Sequence, residues 1–121
     1  MDEDNTLKRQ IEEAVETFVF DYLGITPKSV GIDIHSNSVL AILQGIIPPV
    51  EREYAKGQES RELIEKCYEN VFAVSKKAFE ATLEKILGRV IQGSMLRVNP
   101  ESGNGVIVFN LAERSRYKRS G

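Results

Sequence analysis

The sequence predicts a single α+β domain in which helices pack on a four-stranded, mostly antiparallel sheet. Apolar residues recur at three- and four-residue steps near the start of the chain and again in its middle, as in amphipathic helices. Four short runs rich in valine and isoleucine follow in two pairs, and turn-forming residues separate the members of each pair. The predicted order is α-β-β-α-β-β, with an N-terminal helix and one long central helix.

Length and composition favour one ordinary globular domain. The 121 residues lie in the usual size range of single domains, and we expect an ordered core over about residues 5–112, followed by a basic tail at 113–121. A net charge of −2 argues against binding nucleic acid through overall charge. One cysteine, an acidic start unlike a signal peptide and no apolar run near the ~18 residues of a membrane span predict a cytoplasmic protein.

The first helix is predicted from an apolar stripe between Leu7 and Leu23. Short polar residues at positions 4–6 are suited to cap its N-terminus. Gly24 can adopt the left-handed conformation that ends a helix, and Pro27 would prevent the helix from resuming. We therefore expect the helix to begin near Leu7 and to stop before Gly24.

The first hairpin is predicted where the apolar period changes from 3.6 to 2. Residues 30–35 alternate apolar with polar or small, residues 36–38 read Ser-Asn-Ser, and residues 39–43 are uninterruptedly apolar. The alternation indicates a strand with one buried face. The apolar run indicates an interior strand that is covered on both faces.

The long helix is predicted over residues 59–87, after a short helical turn that Pro49 opens at residues 50–55. Its length of about 43 Å exceeds the ~35 Å diameter expected for the domain. The helix should therefore overhang its sheet, be broken or pack against a second subunit. Its expected core stripe contains Leu63, Cys67, Val71, Val74, Ala78, Leu83 and Ile86, widened by Phe72, Phe79 and Leu87.

The second hairpin is predicted after Gly88, with strands at residues 90–98 and 106–111. Its connection contains Ser-Gly-Asn-Gly at 102–105, which resembles half of a glycine-rich phosphate loop. A phosphate loop needs a helix N-terminus directly after the glycines, and here a valine-rich strand follows. We therefore interpret these glycines as the tip of a hairpin.

The chain's only histidine and only cysteine are the first residues to consider for catalysis. Asp33 and His35 share the strand face opposite Ile32, and the sequence has no second histidine to complete a recognisable metal set. We interpret them as a solvated pair at the rim of the sheet. Cys67 lies on the expected core stripe of the long helix, where a free cysteine behaves as a small apolar residue.

The tail combines cations with one aromatic residue. Such a cluster can rest on an anionic membrane surface, but the favoured interpretation is a solvated, disordered tail that aids solubility. Membrane contact through the tail would be peripheral at most. The residues are Arg114, Arg116, Tyr117, Lys118 and Arg119.

Three segments resemble a small bacterial family. They read Gly-Ile-Thr-Pro-Lys at 24–28, Leu-Gln-Gly-Ile-Ile-Pro-Pro-Val-Glu at 43–51 and Ser-Arg-Glu-Leu-Ile at 60–64. The family is named for MpsC, a component of a sodium-translocating, membrane-potential-generating system. Pro48 and Ser60 depart from it, since a threonine and a glycine are usual at those positions. The resemblance extends over about residues 7–111.

The resemblance implies a non-enzymatic accessory protein of sodium-ion or inorganic-carbon transport, with a membrane transporter subunit as a partner. It brings no active site and no cofactor. Lys28 and Arg61 are the exposed cations of its motifs, so they are the first choice for contact with an anionic ligand or partner. The alternative is a small-molecule or anion sensor that uses the open sheet face around Asp33 and His35, which thermal-shift screening with nucleotides, bicarbonate and metals would detect.

Surplus apolar surface predicts self-association. The long helix has more apolar width than one sheet face needs, and the second strand is apolar on both sides. Two main helices can hardly cover both faces of a four-stranded sheet in a monomer. We therefore expect a homodimer that buries the long helix or the second sheet face, with about 1,200–2,000 Å² or more at the interface.

Overall fold

Helices and strands follow one another in the predicted order in the computed structural model, which describes residues 2–113. The predicted fold class is confirmed, and the short helical turn predicted after Pro49 is present as a helix between the second strand and the long helix. The elements are α1 (Asp2–Leu23), β1 (Ser29–Ile34), β2 (Ser38–Gln44), α2 (Pro49–Tyr54), α3 (Gln58–Leu87), β3 (Ile91–Asn99) and β4 (Asn104–Leu111).

The four strands form one sheet in the order β1-β2-β4-β3, and every neighbouring pair is antiparallel. The register aligns Ile32 with Ala41, Ala41 with Ile107, and Ile107 with Leu96. All four of these side chains are buried. Because side chains alternate along a strand, this row fixes one face of the sheet as the core face.

Both long helices cover that core face. α1 packs against β1, α3 packs against β3, and the two helices pack against each other. Aromatic rings join the layers: Phe18 of α1 stacks on Phe79 of α3 with ring centroids 4.1 Å apart, and Phe79 meets Phe109 of β4 edge-on at 5.4 Å. The protein therefore has two layers, with helices on one side of the sheet only.

The start of α1 differs from the prediction. The helix begins at Asp2, so positions 4–6 lie inside it and do not cap it. Its end is as predicted, since it stops at Leu23 and the amide of Gly24 donates to the carbonyl of Phe20 at 3.0 Å. The buried residues Ile11, Val15 and Phe18 form the expected stripe. The basic tail from position 114 lies outside the described residues.

α3 is unbroken over 30 residues and runs antiparallel to β3. Near one end of the strand, Oε2 of Glu84 accepts the amide of Ile91 at 2.8 Å. At the other end, Nη1 of Arg61 lies 3.5 Å from Oε1 of Glu101, which follows β3. The first turns of α3 thus extend past the end of β3 beside the β3–β4 turn. The helix is therefore not broken but overhangs the strand, and its packing against a second subunit stays a prediction.

The predicted core stripe of α3 is largely wrong. Leu63, Cys67, Val74 and Ala78 are exposed, Val71 is half-buried, and Leu83 is the fully buried member. The helix buries a neighbouring stripe of Ile64, Phe72, Ser75, Phe79 and Leu83. The prediction is therefore confirmed at Phe72, Phe79 and Leu83. The two stripes lie about one residue apart around the helix, and the stripe with the larger rings faces α1 and the sheet. The prediction that Cys67 is a core residue is therefore wrong, because Cys67 is exposed.

The prediction for β2 holds in one respect and fails in another. β2 is an interior strand, paired with β1 and β4. Its outward-facing side is not covered, because both helices lie on the other side: Leu40 is half-buried and Ile42 is 45% exposed. An antiparallel sheet tolerates one open face in this way. The open face consequently carries apolar residues.

Candidate functional site

Two loops meet at the end of the sheet where β1 begins. They comprise residues 45–48 and 99–104, and we call them together the loop end. The first follows β2 and the second connects β3 to β4. Two hydrogen bonds, one between backbone groups and one to a side chain, join them across the sheet end. The two bonds run from the Ile46 amide to the Gly103 carbonyl at 2.8 Å and from the Gly45 amide to Oδ1 of Asn104 at 3.1 Å.

Lys28 lies across the first of these loops. Its amide donates to the carbonyl of Gln44 at 2.7 Å, and its side chain packs over Gly45. Gly45 has φ +70°, and a Cβ there would stand 2.9 Å from Cγ of Lys28. Two requirements therefore favour glycine at this position, the left-handed backbone and the space that the lysine occupies.

Arg61 reaches the loop end from α3, through its ion pair with Glu101. Arg52 of α2, which nothing in the sequence singled out, packs over Gly103, where a Cβ would stand 3.1 Å from Cδ of the arginine. The structure thus brings both predicted cations, Lys28 and Arg61, to one end of the sheet together with a third. Glu101 partly neutralises this group.

Asp33 and His35 lie at the opposite end of β1, where the chain turns into β2. Both residues are exposed, whereas Ile32 before them is buried and Ile34 between them is half-buried, which confirms the predicted strand faces. At ~3.3 Å per residue, the seven steps from Lys28 to His35 span about 23 Å. The structure therefore does not combine the four predicted residues in one site. At this end of the sheet, the guanidinium of Arg89 donates hydrogen bonds to the carbonyls of Ser36 at 2.6 Å and Ala112 at 2.8 Å.

A groove of about 320 Å³ opens beside the loop end on the helix side. The C-terminus of α1, the helix α2 and the first half of α3 form its walls. Its lining is mainly apolar and comprises Tyr22, Leu23, Glu51, Leu63, Ile64, Cys67, Tyr68 and Val71. We call this feature the α3 groove.

One polar contact lies in the α3 groove. The hydroxyl of Tyr68 donates to Oε1 of Glu51 at 2.8 Å, which ties α3 to α2. Burial, and then the hydrogen bond to the neighbouring carboxylate, raise the pKa of Tyr68 well above its ordinary value. The phenol therefore stays protonated at neutral pH. Its hydrogen bond to Glu51 holds α2 against α3.

The α3 groove continues into an exposed apolar line on α3. Leu63 is 62% exposed, Cys67 is exposed and Val74 is 86% exposed. We call residues 63, 67, 71 and 74 the α3 stripe. Residues at steps of three and four share one face of a helix, so these side chains offer a continuous apolar track. The periodicity had identified the track correctly but had placed it in the core.

The chain's one cysteine and its one histidine lie far apart in the fold. Cys67 lies in the α3 groove and His35 lies at the far end of the sheet, so the two residue types most used in nucleophilic chemistry do not meet. A second cleft, of about 420 Å³, is lined by amide side chains of Asn37, Gln92 and Asn110 together with Glu113. No group of three or more metal-binding side chains occurs within residues 2–113.

Comparison with known proteins gives one match. The family model described as "Na+-translocating membrane potential-generating system (MpsC)" matches residues 3–113, which include every helix and strand described except the first residue of α1. No curated protein and no solved structure matches the chain significantly. Among helices in the part of the chain that the structure describes, none combines the length and apolar character needed to cross a membrane.

Proposed function

The chain belongs to the MpsC family, and from this premise we propose that it is a non-enzymatic subunit that binds a membrane component of a Na+-translocating, membrane-potential-generating system. The family match over residues 3–113 carries the proposal. The family's description supports the link to such a system. The binding role is our inference from the surface of the protein.

The surface that supports docking is the α3 groove with the α3 stripe. Helical partners commonly lay an apolar face into a groove, anchored at steps of three, four and seven residues. The α3 stripe presents such steps, and α1 adds Tyr22, which lines the groove and is 49% exposed. Exposed apolar side chains in one region are typical of a protein contact. We assign the amphipathic end of a membrane subunit's helix as the occupant.

The proposal includes the location and assembly of the protein. The chain would work on the cytoplasmic side, as a homodimer held against the membrane by its partner. The motif cations Lys28 and Arg61 lie at the loop end, where they would contact anionic groups of the partner or of the lipid surface. Their role is secondary, because Arg61 already has a carboxylate partner.

Gene deletion with complementation tests the link to the transport system. We expect deletion in the host to lower the Na+-dependent membrane potential, measured with a potentiometric dye, and the wild-type gene to restore it. Leu63→Asp should fail to restore the potential, because it places a charge on the α3 stripe. Val90→Asp is the matched control, since both residues are 62% exposed and Val90 lies outside the groove.

Each outcome has a distinct meaning. A Na+-dependent potential that deletion leaves unchanged would overturn the proposal. If Leu63→Asp restores the potential as well as Val90→Asp does, the system assignment stands and docking through α3 is wrong. Purification of the tagged chain from detergent-solubilised membranes provides a direct check. We expect an integral membrane subunit of the system to co-purify with wild type and Val90→Asp but not with Leu63→Asp.

A further inference from the structure

The face of the sheet opposite the helices, which we call the outer face, carries an apolar patch across three strands. The register places Leu40, Val108 and Met95 in one row across the sheet and Ile42, Val106 and Arg97 in the next. Ile42 is 45% exposed and Met95 is 42% exposed. Neither α1 nor α3 lies on this side, so nothing in the described chain covers the patch.

Gly31 borders this patch on β1, beside Ile42. Glycine weakens the interior of a strand, so its presence there needs a reason. The chain itself supplies none: the φ of Gly31 is not positive, and an added Cβ would make only an ordinary 4.0 Å contact with Cβ of Ile42. Glycine at such a place is typical of a strand that another molecule approaches closely.

Opposite charges stand at diagonal corners of the outer face. Asp33 on β1 continues the row of Leu40, and Arg97 on β3 continues the row of Ile42. Arg97 is exposed; its Nη1 donates to the carbonyl of Leu96 at 3.0 Å and lies 3.9 Å from Oε2 of Glu69 on α3. In the single chain the guanidinium therefore lies at the β3 edge of the sheet, and it would turn onto the outer face when a second copy binds. A surface with one acidic and one basic corner is complementary to a second copy of itself.

We propose that the outer face is the interface of the homodimer, and that it binds the same face of a second copy. The inference rests on the dimer included in the proposed function. A two-fold axis between the sheets, roughly along the strands, lays the β1 side of each copy over the β3 side of the other. Gly31 of one copy then faces Arg97 of the other, where its missing side chain leaves room for the guanidinium.

The same operation gives each charge a partner. Asp33 of one copy faces Met95 of the other copy. Met95 lies two residues along β3 from Arg97. That offset is about 7 Å, which the long side chain of arginine can span. The pair occurs twice in the dimer, once at each end, and flanks the apolar patch. The apolar patches meet at the centre, as the cores of stable interfaces do.

The size of the outer face limits the strength of the contact. Four strands at ~4.8 Å spacing and about seven residues at ~3.3 Å each cover roughly 450 Å² in projection. Two copies thus bury on the order of 900 Å², or somewhat more once the side-chain relief is included. Stable interfaces begin near 1,200 Å² in total, so the dimer should dissociate on dilution.

Sedimentation velocity of the purified chain over a micromolar concentration series tests the interface. We expect a reversible monomer–dimer equilibrium for wild type. Asp33→Arg and Arg97→Asp should each raise the dissociation constant about tenfold, because each brings like charges together twice. The double variant restores the pairing and should return to within about threefold of wild type. Glu69→Gln is the control, since it removes the partner of Arg97 within the chain and leaves both charges of the proposed pair in place; it should not weaken the dimer.

Gly31→Val gives a second, independent readout. Valine favours strands and finds space within the chain, so the thermal melting temperature of the monomer should stay the same or rise. The dimer should be lost, because the side chain fills the space that the facing arginine needs. Unchanged dimerisation of this variant, or charge reversals without effect, would refute the interface while leaving the dimer intact.

A wild-type chain that stays monomeric throughout the series would refute the interface together with the dimer. These measurements use the purified chain alone and need no membrane subunit. If the dimer behaves as expected while gene deletion leaves the Na+-dependent potential unchanged, the interface stands and the proposed function fails. If the potential depends on the gene but the chain is monomeric, the link to the Na+-translocating system stands and the proposed interface fails.

Discussion

Substitution of Gly45 by alanine should destabilise the protein by about 2–5 kcal/mol, for two separable reasons. The backbone at Gly45 has φ +70°, a conformation that costs an L-residue about 1–2 kcal/mol. The new Cβ would also stand 2.9 Å from Cγ and 3.1 Å from Cβ of Lys28. These atoms lie near the root of the side chain, and the Lys28 amide is held by Gln44, so the lysine cannot simply swing away. Such overpacking costs about 1–3 kcal/mol.

Gly88→Ala isolates the backbone part of this cost. Gly88 has φ +68°, nearly the same as Gly45, but no atom lies within 4 Å of its added Cβ. We expect Gly88→Ala to cost only the backbone part, about 1–2 kcal/mol. Urea unfolding monitored by far-UV circular dichroism gives the free energy of unfolding of each variant. A cost for Gly45→Ala no larger than that for Gly88→Ala would refute the steric argument.

Lys28→Ala provides the matching double-mutant cycle. It removes Cγ and Cδ, two of the three atoms closest to the added Cβ. In the Lys28→Ala background, Gly45→Ala should therefore cost about 1 kcal/mol less than in wild type. Additive costs would show that the lysine moves freely and that the family motif joins these residues for another reason.

Three further predictions concern residues whose positions the structure settles. Ile32→Ala should cost about 2–5 kcal/mol because it empties a core position, whereas His35→Ala should cost less than about 0.5 kcal/mol; urea unfolding that ranked the histidine higher would show it to be buried or bound. Tyr68 holds its proton more tightly in the folded than in the unfolded chain, so its contribution to stability is complete below its ordinary pKa of 10.0 and declines as pH rises above it. The free energy of unfolding of Tyr68→Phe should thus fall less steeply with alkaline pH than that of wild type, and equal slopes would contradict this. Cys67 is exposed, so its thiol should react with Ellman's reagent in the native protein at a rate within about tenfold of the rate in the unfolded chain. A thiol that reacted only after unfolding would show that Cys67 is buried.

The sequence was sufficient for the order of elements because local signals mark their ends. Gly24 and Gly88 terminate the two long helices, and the change of period at position 30 marks β1. The alternation around Ile32 also placed Asp33 and His35 on the exposed side correctly. These features depend on residues close together in the chain, which is why they could be inferred without a structure.

The sequence was insufficient where two apolar surfaces compete for one core. α3 carries two adjacent apolar stripes, and periodicity alone does not say which one packs inward. The outcome depends on Phe18 of α1, which stacks on Phe79 and meets Phe72 edge-on at 5.8 Å. β2 presents the same difficulty in a sheet: its apolar run shows that it is interior, but not that both helices lie on one side. Such choices are made by long-range packing.

The same limit applied to the loop end. Lys28 and Arg61 were selected as exposed cations from the motif, without information on what surrounds them. The structure adds Arg52 and Glu101, which come from α2 and from the β3–β4 turn. Only the pairing of distant loops brings these residues together. Residue type therefore identified the cations but neither their grouping nor their neutralisation.

The two proposed surfaces lie on opposite layers of the protein, which bears on how the dimer would act. The α3 stripe belongs to the helix layer, and the outer face belongs to the sheet. A dimer through the outer faces would bury both sheets at its centre and leave both helix layers exposed. Each dimer would then offer two equivalent α3 grooves to membrane subunits. Two linked contacts bind much more tightly than one, provided that both partners can be reached at once. A weak dimer would therefore be strengthened by its partners, and Gly31→Val should reduce membrane association although it leaves each groove intact.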